Sequence, residues 1–394
     1  MMKKTIRDVD VKGKKVFVRV DYNVPVNSDL KIMDDTRIVE TLPTINYLIE
    51  HGAKVVLCSH LGRPDGLVDN KLSLRPVLAR LSKLLERPVS FLEDVLDPTA
   101  PKMIDNMVDG EVLMLENIRF YKQEEDNDEE FAKTLASFAD IFVLDAFATA
   151  HRKHASTYGI AKHVPAVCGF LVEKELRMFD KILSKPEHPF VAILGGAKIS
   201  DKLPVVENLI DKVDSILIGG GMAYTFIKAI GGNVGKSLID NSKLDLAKEL
   251  LDKAKEKGVK VILPVDNIGT KEFSEDAEAK EFNSGFFDDE YQGMDIGKQT
   301  IKAFKKEIKK ARTIVWNGPV GVYEYDKFKH GTNKVAKYIA KSKAISVIGG
   351  GDSVAAIQSL GVAKKVTHIS TGGGASLMLL QGKTLPCIEL IQDL

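Results

Sequence analysis

The chain has 394 residues, 44% hydrophobic and 28% charged, with a formal net charge of +1. That length suits roughly two or three domains with sizeable cores, and the charge balance gives no sign of a nucleic-acid or membrane-surface partner. Three cysteines, Cys58, Cys168 and Cys387, lie far apart without metal-ligand spacing and read as reduced thiols. The sequence opens without an apolar signal core, and no stretch approaches the ~20 apolar residues of a membrane span. A cytoplasmic chain is expected.

In chain order, the first predicted strand is KVFVRV (15–20), followed by an amphipathic helix over 36–52 that stops at a glycine. The strand KVVLCS (54–59), a helix over 73–86, the strand EVLMLE (111–116), a helix over 127–139 and the strand DIFVLD (140–145) come next. The long helical stretch EKELRMFDKILS (173–184) connects this run to a second one. There the strands are FVAIL (190–194), SILI (215–218), KVILPVD (260–266), TIVW (313–316), AISVI (344–348) and THIS (367–370), with helices over 242–258 and 295–311. These runs are too continuous for strands with one wet face and fit parallel strands covered on both sides. Ten strands exceed one comfortable sheet, so the class is α/β with two doubly wound parallel-sheet domains. The expected bounds are 1–172 and 173–382, with 173–184 as connecting helix and 383–394 packing back on the first domain. Two charge runs, EEDNDEE (124–130) and KKEIKK (305–310), read as solvated helix faces or helix starts.

In open α/β sheets ligands bind beyond the carboxyl ends of the strands. In the first half those ends carry Asp21 and Asn23, His60 and Arg63, Arg119, and His151 with Arg152, with Arg37 near the start of the first helix. Nine of the eleven arginines fall at or before Arg152. A guanidinium suits bidentate contact with carboxylate or phosphate, so this half reads as a pocket for a small polyanion. The second half answers with glycine triplets at 219–221, 349–351 and 372–374, together with LGGAKISDK (194–202) and WNGPVG (316–321). A single triplet is equally well a tight structural turn, but several in succession bring naked backbone and helix N-termini to a nucleotide's phosphates. Lys198 and Lys202 supply point charges, and Asp352 is placed to hold Mg²⁺ directly or through water. GGNVGKS (231–237) imitates a P-loop, but position 230 is Ile and the stretch follows a helix rather than a strand. Two such sites imply group transfer, most simply phosphoryl transfer.

The blocks VDYNVP, SHLGRP, LENIRF, DAFATAHR, ILGGAKISDK, LIGGGMAYTF, VWNGPVGVYE, VIGGGDS and HISTGGGAS resemble those of the phosphoglycerate kinase family, in its order and over essentially the whole chain. The resemblance implies a bilobal fold with a returning C-terminal tail. It implies a cytoplasmic, glycolytic and gluconeogenic monomer that moves a phosphoryl group in line between 1,3-bisphosphoglycerate with Mg-ADP and 3-phosphoglycerate with Mg-ATP, by hinge-bending closure of the domains. By motif position it puts Asp21, Asn23, Arg37, His60, Arg63, Arg119 and Arg152 at the 3-phosphoglycerate site. It puts Lys198, Lys202, Gly293, Glu324, Gly350, Gly351, Asp352 and Ser353 at the nucleotide site, with Glu324 on the ribose hydroxyls and Asp352 on the metal. Arg37, Lys198 and the amides of Gly372 and Gly373 are implied to stabilise the moving phosphoryl group. The chain departs from the family pattern in LDAFA, where Leu144 replaces an amide side chain and Ala148 a glycine, and in NIGTKE (267–272). Two rival functions are a non-catalytic nucleotide-binding protein of the same fold and an NAD-dependent oxidoreductase whose dinucleotide sits on the glycine triplets.

Overall fold

The apolar runs become parallel strands. In the first unit, β1 (Lys15–Val20), β2 (Lys54–Cys58), β3 (Ser90–Leu92), β4 (Val112–Leu115), β5 (Ile141–Asp145) and β6 (Ala166–Cys168) form one sheet in the order β3-β4-β2-β1-β5-β6, every pair parallel. All of β5 and all of β1 beyond Lys15 are buried, as strands covered on both faces must be. The computed structural model describes residues 3–394. Its contacts group the chain up to Arg177 with Thr384–Leu394 as one unit and Met178–Lys383 as the other.

The second unit holds β7 (Phe190–Leu194), β8 (Ser215–Ile218), β9 (Lys260–Ile262), β10 (Asp266–Thr270), β11 (Lys280–Asn283), β12 (Gln292–Ile296), β13 (Thr313–Asn317), β14 (Ile345–Gly349) and β15 (His368–Ile369). Its main sheet runs β9-β8-β7-β13-β14-β15, all parallel. In sequence rank this is the 3-2-1-4-5-6 order of nucleotide-binding sheets, whose crevice opens beyond the carboxyl ends of the first and fourth strands, where the order reverses. Here those strands are β7 and β13. The α/β class and the two doubly wound sheets read from the sequence are borne out.

Three features differ from the sequence reading. KVILPVD is not one strand: β9 ends at Ile262, and β10 starts at Asp266 in a separate antiparallel sheet, β11-β10-β12. Pro264 between them has no N–H for a ladder and cannot continue a central strand. β3 and β6 are three-residue edge strands, too short for a hydrophobic run to announce them. Residues 295–296 belong to β12, so the helix read over 295–311 is Lys298–Lys310.

Helix Phe170–Ser184 carries the chain from the first unit into the second. Asp145, the last residue of β5, accepts hydrogen bonds from the N–H groups of Leu171 (2.9 Å) and Val172 (3.3 Å) and so caps the helix start. The C-terminal residues lie on the first unit: Lys4 N–H donates to the Gln392 carbonyl at 2.9 Å, and Cys387 N–H to that of Ala150 at 3.2 Å. The two departures within LDAFA are quiet. Leu144 is a buried β5 residue opposite Arg19 and Cys168. Ala148 sits in the short turn Phe147–Thr149 without left-handed backbone, so alanine is unstrained there.

Candidate functional site

The strand ends of the first unit converge on a buried arginine that the strand-end reading overlooked. Arg19 lies inside β1 and is almost wholly buried. Its Nε donates to Ser156 Oγ at 2.8 Å, its Nη1 to the Val20 carbonyl, and its Nη2 faces His60 Nδ1 at 3.1 Å. Ser156 Oγ in turn donates to Glu124 Oε1 at 2.7 Å, and Ser156 N–H to Glu124 Oε2 at 2.8 Å. Glu124 is fully buried, which corrects the reading of EEDNDEE as a solvated run. Burial pushes its carboxyl upward, opposed by Arg19 and the Ser156 hydrogen bonds. The rest of the run fits a helix start: Asp128 caps Glu129–Ala136 by accepting from Phe131 N–H at 2.8 Å. An arginine within an otherwise apolar buried strand needs a partner, and that was the one signal in the sequence for this network.

An arginine has donors only, so His60 Nδ1 must accept and the ring proton sits on Nε2. Burial, and then Arg19, Arg119, Arg152 and Arg37, hold His60 well below the ordinary histidine value. Its approach to Asp21 Oδ1 at 4.0 Å is therefore not an ion pair at neutral pH. His154 is pushed down to about 4 by burial and by Arg119, Arg19 and Arg152, and His151 is lowered by burial and Arg152. Three neutral histidines among arginines mark a locally positive environment suited to an anion.

The other expected residues fall around this core. Asp21 is buried, pairs with Arg37, and accepts from Asn23 N–H at 3.1 Å. Asn23 is exposed and its Oδ1 accepts from Gly62 N–H at 2.9 Å, while Arg119 Nη1 donates to the Gly62 carbonyl at 2.9 Å. Arg119 Nε lies 3.3 Å from Glu125 Oε1 but out of hydrogen-bond alignment, so that contact is only an ion pair. Arg152 is half-buried with its Nε 3.3 Å from His151 Nε2, and its carbonyl accepts from Thr157 Oγ1 at 3.0 Å. Arg63 is exposed beside Gly62.

In the second unit two cavities meet behind β7 and β13. One, about 310 Å³, is lined by Lys198, Lys202, Gly350, Gly351, Asp352 and Gly373 among others. The other, about 390 Å³, is lined by Gly293, Glu324 and Asp352, with Leu238, Phe273 and Met294 as an apolar wall. Gly196, Ala197, Pro319 and Asp352 belong to both. Lys202 Nζ bonds to the side chain of Asn317 and sits 3.4 Å from its carbonyl, and burial lowers the amine to about 8 against a smaller opposite pull from Asp201. Burial and Glu324 raise Asp352. Gly293 is required by a neighbour: a Cβ there would stand 1.7 Å from Tyr224 Oη. Two expected residues do not line either cavity. Ser353 is buried and its Oγ accepts from Gly318 N–H at 2.8 Å, and buried Gly372 gives its N–H to Ser370 Oγ at 3.1 Å. Lys236 of the rejected P-loop imitation lines the larger cavity, which the motif search missed.

Cationic side chains at the strand ends of one α/β unit and a glycine-lined crevice on another are the combination that a phosphotransferase uses. The family profile described as phosphoglycerate kinase matches residues 6–383. The phosphoglycerate kinase of Dictyoglomus turgidum is 54% identical over all of both chains, and that of Clostridium tetani 53% over 99% of this chain and 98% of its own. The solved phosphoglycerate kinase of Coxiella burnetii superposes with a TM-score of 0.88 at 42% identity, covering 98% of each chain. The chain belongs to the phosphoglycerate kinase family, and its activity is that of the glycolytic kinase, with a carboxyl group as acceptor. Nothing favours an oxidoreductase or a non-catalytic binder.

The arginine–histidine contact yields a prediction. In Arg19→Met, His60 Nδ1 loses its donor, so the ring should populate both neutral tautomers and its pKa should rise. Long-range ¹H–¹⁵N correlation spectra read both quantities, and a His60 that stays Nε2-protonated in the variant would show that something else sets the tautomer.

Proposed function

We propose that the first unit's cluster binds 3-phosphoglycerate and 1,3-bisphosphoglycerate through Asp21, Asn23, Arg37, His60, Arg63, Arg119 and Arg152. The paired cavities of the second unit take ADP and ATP. The apolar-walled cavity suits the base, with Glu324 at its edge for ribose hydroxyls, and the cavity with Lys198 and Lys202 suits the phosphates. The observation that carries this reading is the gathering of arginines around His60, His151 and His154, which burial first, and then those arginines, keep neutral. A protein accepts that concentration of positive charge where an anion is to be bound.

In the ATP-forming direction a β-phosphate oxygen of ADP attacks the acyl phosphate, the bond to the carboxyl oxygen breaks, and the carboxylate leaves. Neither nucleophile nor leaving group carries a proton, so no general base is needed. Catalysis is positioning and charge stabilisation. Arg37 is held in place by Asp21, and Lys198 is exposed at the phosphate cavity. These two cations and the Gly373 backbone face the moving group. Among the described residues no cluster of three metal-ligating side chains exists. Asp352, raised by burial and then by neighbouring Glu324, suits a divalent ion held by one carboxylate, by phosphates and by water. Mg²⁺ bound there neutralises nucleotide phosphate charge.

Three measurements test this. Arg37→Met should lower kcat in a coupled ATP-formation assay by at least about 10²-fold with little change in ADP affinity, because a lost transition-state donor has that effect. Arg63→Met should mainly raise KM for 3-phosphoglycerate, and near-normal kcat in Arg37→Met would reduce Arg37 to a binding residue.

Lys202, with its pKa depressed to about 8, is cationic below that pH and neutral above it. Calorimetric ADP affinity should therefore be full near pH 7 and decline through pH 8 to 9, by up to about tenfold per unit once the amine is neutral. Lys202→Met should bind weakly throughout with a flatter profile; a variant that keeps the parental profile removes Lys202 from phosphate binding.

The acyl phosphate must be shielded from water, so closure of the two units over both ligands is part of the proposal. Small-angle scattering should give the smallest radius of gyration with both ligands bound, and an identical radius in every ligand state rejects closure.

A further inference from the structure

The amino ends of the second unit's sheet open on a different feature from its carboxyl ends. β13 and β14 begin at Thr313 and Ile345, directly after the C-terminal turns of helices Lys298–Lys310 and His330–Lys341. The two helices pack side by side, and their ends bound a groove of about 710 Å³. Lys305, Lys309, Lys310, Arg312, Lys341 and Lys343 line it, and all six are exposed. The nucleotide cavities lie beyond the other ends of these five-residue strands. At ~3.3 Å of rise per residue, about 16 Å of sheet separates the two.

The charge on this face is far from the chain's overall +1: residues 298–312 and 330–343 hold eleven lysines and arginines and one acid, Glu307. Glu307 is buried and already bound to Lys260 at 2.6 Å, with Lys310 at 3.8 Å. Among the described residues no carboxylate lies within ion-pair distance of Lys305, Lys309, Arg312, Lys341 or Lys343. Cations in a last helical turn complement the helix dipole, but the dipole falls off within that turn. Here the lysines extend further, and pairs such as Lys302/Lys306, Lys305/Lys309 and Lys337/Lys341 set like charges one turn apart, which destabilises a helix. His330 at the far end of its helix is lowered by burial and then by Lys334, Lys337 and Lys298, so the positive field spans the helix pair.

The lining also narrows the occupant. Tyr338 is the one aromatic residue in the groove, and Lys305 Nζ lies over its ring at 5.3 Å, so there is no free platform for a base. Five of the six cations are lysines, hydrated point charges that match phosphate without demanding the planar geometry an arginine reads. A groove admits a flexible chain to its floor, whereas a flat membrane meets only the rim. We propose that this groove binds linear inorganic polyphosphate, independently of the nucleotide site.

The test is calorimetric titration of the full chain with polyphosphate of defined length, in the presence of saturating ADP and 3-phosphoglycerate so that the active site is filled. Six phosphate contacts give a log–log salt slope of about −4, so affinity should fall about 10²-fold between about 50 and 200 mM salt. Lys309→Ala/Lys341→Ala/Lys343→Ala should weaken binding at least about tenfold and shrink the slope by about 2. Its ATP formation without polyphosphate and its circular dichroism should match the parent, which shows that the loss is local. The proposal is overturned if the triple variant binds as the parent does, or if ADP and 3-phosphoglycerate displace the polymer. It also falls if a homopolymeric RNA of equal phosphate number binds more tightly and Tyr338→Ala removes the excess, or if anionic vesicles capture the protein while polyphosphate does not.

Discussion

The second unit's cavities depend on backbone packed against backbone in the turns that leave β7 and β13. A Cβ on Gly195 would stand 2.1 Å from the Pro319 carbonyl oxygen, and one on Gly318 would stand 2.3 Å from that of Gly195. No side chain fits, so the turns can interlock: Gly195 N–H donates to the Asn317 carbonyl at 3.0 Å and Gly196 N–H to that of Pro319 at 2.8 Å. The same closeness brings Lys202 onto Asn317, where burial depresses its amine, and Ser353 onto Gly318. The smaller cavity and the burial of Lys202 beside it both follow from contacts that glycine alone permits.

The first unit meets its problem with side chains. Its strand ends carry no glycine triplet, and they gather around buried charge linked through hydrogen bonds from Glu124 to Ser156, Arg19 and His60. Burying an arginine and a glutamate is unfavourable unless each is hydrogen-bonded, and this network supplies those bonds. Its consequence is chemical. Burial, and then the neighbouring arginines, hold His60, His151 and His154 neutral, so the arginines supply the positive charge there. The strand ends of the two units thus present different groups, backbone amides and lysines on one and guanidinium forks on the other.

Charge runs show where sequence reading loses resolution. Within EEDNDEE, Glu124 is fully buried while Glu129 and Glu130 face solvent at a helix start. Within KKEIKK, Glu307 is buried against Lys260 while the lysines around it border a groove. Periodicity predicts which face of a helix is apolar, but a carboxylate is buried only when a partner from elsewhere in the chain meets it. Lys260 is remote from Glu307 in sequence, as Ser156 is from Glu124.

The sequence by itself determined the α/β class, the two parallel sheets and the split between arginine-rich and glycine-rich strand ends. Continuous apolar runs require burial on both faces, and the residue types after each run are read directly. It also exposed the family blocks, and with them most of the candidate site. Only the tertiary structure decided that Arg19 is buried in a network with Ser156, Glu124 and His60, that the amide of Gly372 and the hydroxyl of Ser353 are already engaged within the fold, and that Pro264 separates strands of two different sheets. It also decided that six cations from two helices and the turns that follow them share one groove. Each of these outcomes rests on a contact between residues far apart in the chain, and local propensity carries no information about such partners.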